Sequence, residues 1–279
     1  MTIFVYIIIF CLVFGLKNWT FFCHFTKYYY LCNQNLNKMT TSSIIRNKVA
    51  EMPTDVVFTY QDFGLPTENN GSVLKTLNRM AASGEICKLS KGKFYKTRKT
   101  VFGELKPRPE EIVKDLLEKD GKPIGYLTGL SIFNGLGLTT QVASIIQIGT
   151  NTKTNPKQRG PYTIKFVVQP NPIERSNIEL LQLLDCIRMI KDIPDSSTTQ
   201  SCSLLMLKIK DLTVEERQMM TQLAIKYSPS TRALLGAIME SIEESESADK
   251  LFSSLNNLTT FNIGISETIL PNKKRWRII

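Results

Sequence analysis

Histidine is almost missing from this sequence: its 279 residues contain one, His24. The six cysteines, Cys11, Cys23, Cys32, Cys87, Cys186 and Cys202, form no CxxC or CxxH pair. These two shortages exclude the usual zinc ligand sets and a His-based acid–base site in the globular part. Thiols scattered without paired spacing fit reduced, cytosolic cysteines rather than a disulfide framework. There is also no Gly-rich phosphate loop leading into a helix and no GxSxG turn. Asp115, Glu118 and Lys119 come closest to an acidic catalytic set, but they lie on a helix pattern, where a solvated, salt-bridged face is the expected reading. A nucleotidyltransferase needs Gly-Ser followed by paired metal-holding carboxylates on a strand, and Gly71-Ser72 has none after it. The chain therefore reads as a non-enzyme, with no catalytic residue, no metal site and no cofactor.

Residues 1–38 lack Ala, Arg, Asp, Glu, Pro and Ser altogether. They are rich in Phe, Tyr, Ile, Asn and Lys, residues with A/T-rich codons. Ile3 to Leu16 is an apolar run, short for a spanning helix, which wants about 20 residues. A signal peptide would need a positive start and a small-residue cleavage site, and neither is present. The reading favoured here is that translation starts at Met39 and that the first 38 residues are upstream A/T-rich DNA read in frame. A membrane segment is the second reading of this stretch.

What is present is basic charge, unevenly placed. The net charge is +10, and residues 39–100 carry ten Lys/Arg against five Asp/Glu. Residues 101–170 carry nine against six, and residues 171–279 thirteen against fourteen. The excess sits in the first two thirds of the chain and favours a polyanionic partner there.

Residues 40–99 read as a winged helix-turn-helix, a DNA-binding module. Ile44, Ile45, Val49 and Met52 recur at helical spacing behind Ser42 and Ser43 as candidate N-caps, and Pro53 ends that helix. Val56 to Thr59 is a short β-branched and aromatic run, and Tyr60 to Phe63 a helical turn stopped by Gly64. The next helix is expected from Asn70 to Ser83, with Val73, Leu74, Leu77, Met80 and Ala81 as its apolar stripe. Ser72, Lys75, Thr76 and Arg79 fall on another face, which bears two cations, two hydroxyls and no carboxylate. Such a face can reach base edges and phosphates. Ile86 to Leu89 and Phe94 to Lys96 then flank a Lys-Gly turn, a hairpin whose Lys88, Lys91, Lys93 and Lys96 can neutralise phosphates.

Thr97 to Arg108 reads as a linker with Pro107 and Pro109 as breakers, and residues 109–279 as a mixed α/β domain with a helical C-terminal part. The fold class is thus α+β. Helices are expected over 110–119, 125–138, 177–191, 201–210, 213–227 and 230–242, and strands over 142–149 and 162–168. Thr213 to Glu216 is a capping box. Residues 243–250 are polar and acidic. Tyr126, Thr128 and Gln141 are polar residues in an apolar region, read either as a weak partner surface or as a packing network. Lys153, Lys157 and Arg159 lie in a basic loop, read as suited to nucleic acid or to an acidic protein face, or equally as a solvated loop.

From Met39 onward the chain resembles the AbiEi-type antitoxins of bacteria. The resemblance rests on the module above, the Tyr60-Gln61-Asp62-Phe63 turn, the Ser90-Lys91-Gly92-Lys93-Phe94-Tyr95 wing and Gly125-Tyr126-Leu127-Thr128-Gly129. Gly137-Leu138-Thr139-Thr140-Gln141 and Tyr227-Ser228-Pro229-Ser230-Thr231-Arg232 follow in the same order. The resemblance implies a cytoplasmic antitoxin of an abortive-infection system against phage. It would repress its own operon by binding operator DNA and counter a cognate nucleotidyltransferase-like toxin, either directly or by opposing its effect. A winged-helix regulator with a ligand- or partner-binding C-terminal domain, membrane-tethered through residues 1–38, is the alternative.

Overall fold

The computed structural model describes residues 40–279 apart from Phe102 and Ala143; the start-site and membrane readings of residues 1–38 lie outside the described residues. The protein is α+β, and the described residues form two compact units, 40–53 with 58–86 and 54–57 with 87–279. The division falls between Ile86 and Cys87, inside the segment 40–99 expected as one module.

In the first unit, α1 runs from Thr41 to Glu51. Its N-cap is Thr40, whose hydroxyl accepts from the Ser43 amide at 3.2 Å, so the expected caps Ser42 and Ser43 lie inside the helix. Tyr60–Phe63 forms a 3₁₀ turn under a Thr59/Asp62 capping box, and Gly64 closes it at φ 59. Phe63 stacks edge-to-face with Phe58 at 6.1 Å between centroids, and Lys48 Nζ donates to the Phe63 carbonyl at 2.6 Å. Helix α2 spans Asn70–Ala82 and buries Val73, Leu77 and Met80 with Ile45 and Val49 of α1. Among them these residues make the small core of the unit.

The second unit opens with the hairpin of β2 (Cys87–Ser90) and β3 (Lys93–Tyr95), turned by Gly92 at φ 74; β1 (Val57–Phe58) extends it in the order β1-β3-β2. The expected linker contains a second hairpin, β4 (Arg98–Thr100) with β5 (Gly103–Leu105). Helix α3 (Pro109–Leu117) follows, stopping short of the expected Lys119 because Glu118–Lys119 (β6) pairs with Lys122–Pro123 (β7). The single helix expected over 125–138 is instead a strand, β8 (Gly125–Thr128), and a short helix, α4 (Leu130–Gly135). Every side of Gly125–Thr128 is buried, and Gly129 at φ 65 breaks the segment, a conformation open mainly to glycine.

Strands β9 (Ile145–Thr150), β10 (Lys157–Arg159) and β11 (Tyr162–Val168) complete a sheet of order β10-β11-β9-β8. Strand β11 runs parallel to β9 and antiparallel to β10, so the expected loop 151–160 contains an edge strand. Ile112 and Val113 of α3 pack on Leu127, Ile146, Ile148 and Ile164 of this sheet. A second core joins helices α5 (Ile178–Arg188), α6 (Thr198–Lys210), α7 (Val214–Ala224) and α8 (Pro229–Ser241). The acidic stretch near 243–250 belongs to a further helix, α9 (Ser245–Ser253), because Ala248 and Leu251 face this core. The C-terminal tail returns across it: Trp276 is fully buried and Ile278 bridges to Phe261.

Candidate nucleic-acid interface

Helix α2 is positioned by its apolar stripe, which turns the opposite side outward. Ser72, Lys75 and Arg79 are exposed there, and the helix carries no carboxylate. Thr76 corrects the expectation: it is 4% exposed, and its hydroxyl donates to the Ser72 carbonyl at 2.9 Å. A threonine hydroxyl that bonds back along its own helix is withdrawn from solvent. Asn78 takes its place on the exposed side, donating to the Leu74 carbonyl at 2.8 Å. Its i+3 spacing from Lys75 places it on the same face.

The hairpin belongs to the second unit. Lys88 on β2 and Lys91 at the turn are exposed, while Lys96 is half-buried. Lys93 is not a free phosphate contact. Its ammonium sits 3.0 Å from Asp115 of α3, and its side chain is only 19% exposed. Asp115 also receives both guanidinium nitrogens of Arg159, at 2.5 and 2.7 Å. Burial works to raise the Asp115 carboxyl, but the hydrogen bonds and charges of Arg159 and Lys93 outweigh it and hold the group below its ordinary 3.8. So the acidic residue read as part of a solvated helix face joins the hairpin to β10.

Arg159, expected on a partner surface, is buried and also donates to the Ile112 carbonyl at 2.7 Å. Its position in β10 points it at α3 rather than at solvent. Tyr126 and Thr128, read as a weak partner surface or as a packing network, are buried too. Both hydroxyls donate to one oxygen of Asp185 at 2.8 Å, and Tyr227 donates to the other at 3.1 Å. Gln169 donates to the Tyr126 and Tyr227 oxygens at 2.7 and 2.6 Å, and Arg188 pairs with Asp185 at 2.9 Å. Burial, then the nearby Asp185 charge, pushes both phenols above their ordinary value. This is a satisfied packing network, since each buried polar group has a partner. Lys153, Lys157 and Gln141 remain exposed; Lys157 Nζ lies 5.7 Å from the centroid of the Phe166 ring.

A cleft of about 510 Å³ opens in the second unit, lined by residues that include Leu138, Thr139, Asp195, Gln200, Ser203 and Ile269. Among the described residues, no three His, Cys, Asp or Glu side chains gather as a metal site. No helix among them is long and apolar enough to cross a membrane.

Residues 44–173 match the model of a family described as a family of unknown function (DUF6088). No curated protein matches the chain. Among solved structures, the RV2827C protein from Mycobacterium tuberculosis is similar at a TM-score of 0.49 and 13% identity, over 80% of this chain and 85% of that one.

Proposed function

We propose that this protein is a winged-helix, DNA-binding autorepressor, acting as the antitoxin of an abortive-infection system. The observation that carries the DNA-binding reading is helix α2. It offers Ser72, Lys75, Asn78 and Arg79 to solvent on a helix without a carboxylate. Arginine and lysine suit guanine edges and phosphates, and asparagine suits adenine. The order of a helix, a turn, this helix and a hairpin with an exposed lysine at its tip supports the winged-helix reading. The antitoxin role rests on the sequence motifs alone. It assigns the neutralisation of a nucleotidyltransferase-like toxin to the second unit.

The test is fluorescence anisotropy with DNA from upstream of the protein's own gene, against scrambled DNA. Specific binding of about 10³-fold or more over scrambled DNA is expected. Lys75→Ala with Arg79→Ala should abolish that preference with an unchanged circular dichroism spectrum. Retained preference in the double variant would remove α2 as the reading helix. Co-expression with the neighbouring gene's product, in cells that the product alone arrests, tests the antitoxin half.

A further inference from the structure

From Gly121 to Ile173 the chain contains no Asp or Glu, yet it carries Lys122, Lys153, Lys157, Arg159 and Lys165. That stretch supplies all four strands of the β10-β11-β9-β8 sheet. Cancellation of its charge is left to carboxylates from other elements. Asp115 of α3 supplies one, and it is occupied by Arg159 and Lys93. Among the described residues no ion pair forms at Lys153 or Lys157. Phe166 sits beneath the Lys157 ammonium and leaves the side chain exposed at the sheet edge.

This edge lies beside the hairpin. A Cβ on Gly160, in the β10–β11 turn, would be 2.8 Å from the Leu89 carbonyl oxygen of β2, so the two backbones touch there. Lys93 and Arg159 share Asp115 on the same side of the hairpin. The hairpin that carries the exposed Lys91 therefore abuts the β10–β11 turn. We propose that Lys153 and Lys157 form a second DNA-backbone contact, made by the same unit that carries Lys91. Lysine on an edge strand also discourages strand pairing between molecules. That accounts for Lys157 alone, because Lys153 lies before the strand. The inference rests on the DNA-binding reading above and adds to it a contact made by the second unit.

The experiment compares the full chain with its Lys153→Ala/Lys157→Ala variant, measuring operator affinity by anisotropy between 50 and 200 mM salt, a range over which about 0.9 in the log–log slope is lost per phosphate contact removed. The slope should become shallower by about 1.8, with the preference for operator over scrambled DNA kept. Lys153→Arg/Lys157→Arg should restore the slope. A wild-type slope in the alanine variant overturns the second contact and leaves the α2 reading standing. Loss of growth rescue with an unchanged slope also overturns it, assigning the edge to an acidic protein face. Absence of salt-dependent DNA binding by the wild-type chain overturns both readings together.

Discussion

The Lys93 ammonium lies 3.0 Å from the Asp115 carboxylate, which at the same time grips Arg159 at 2.5 and 2.7 Å. One side chain of α3 thus ties the hairpin to the edge of the four-stranded sheet. Arg159 is buried, so removing its counter-charge leaves a desolvated cation. Asp115 itself is partly solvated, which reduces the cost below the full buried-pair range. Asp115→Asn should therefore destabilise the protein by about 1–2 kcal/mol, read from urea unfolding. The folded-state carboxyl is held below its ordinary 3.8. Its contribution is thus fully present above that value and is lost as pH falls through the folded one. The stability gap between wild type and Asp115→Asn should narrow at acid pH; a gap independent of pH would contradict the pairing.

The same pairing separates two lysines that look alike in sequence. Lys91 is exposed at the turn, whereas Lys93 is committed to Asp115. Lys91→Ala should flatten the salt dependence of DNA binding by about 0.9 without loss of stability. Lys93→Ala should chiefly lower stability. Equal slope changes for both variants would show that Lys93 leaves Asp115 when DNA is bound.

Tyr126 should act through the fold and not through a partner. Its hydroxyl donates to Asp185 and accepts from Gln169 in a buried network. Tyr126→Phe leaves those groups short of a bond and should cost about 1–3 kcal/mol. Operator affinity and growth rescue should stay at wild-type levels well below the melting temperature. Loss of rescue by the folded variant would return Tyr126 to the partner surface.

Gly236 faces Trp276 across the helical core, and a Cβ there would fall 2.1 Å from the indole ring. Alanine favours helix over glycine by about 1 kcal/mol. A buried indole held by a hydrogen bond from its nitrogen to Glu240, at 2.7 Å, cannot withdraw cheaply. Overpacking of this kind costs about 1–3 kcal/mol, so Gly236→Ala should be net destabilising or neutral. A higher melting temperature in differential scanning calorimetry would show that the tail repacks.

Local chemistry was readable from the residues alone. The 3.6-residue spacing of Val73, Leu77 and Met80 dictates α2, and Gly84 and Gly92 mark the ends and turns around it. Alternation and β-branching in Tyr162–Val168 set a strand with the bounds expected. Thr213 and Glu216 form their capping box wherever the helix is packed. Exposure of Lys75 and Arg79 follows from the same periodicity, because a face opposite an apolar stripe meets water.

Tertiary structure decided what partners reach a polar side chain. Arg159 finds Asp115 44 residues away, and Tyr126 finds Asp185 59 residues away. No window of sequence contains both ends of such a contact. Spacing therefore left Arg159 in a basic loop and Tyr126 open between a partner surface and a packing network, while folding desolvated both and paired them. The strand at Gly125–Thr128 has the same cause: a run of small and apolar residues is ambiguous by period, and pairing with β9 resolves it. A sequence states which groups need burial or a partner; the fold determines which of them are left facing solvent, and here those include Lys75, Arg79, Lys88, Lys91, Lys153 and Lys157.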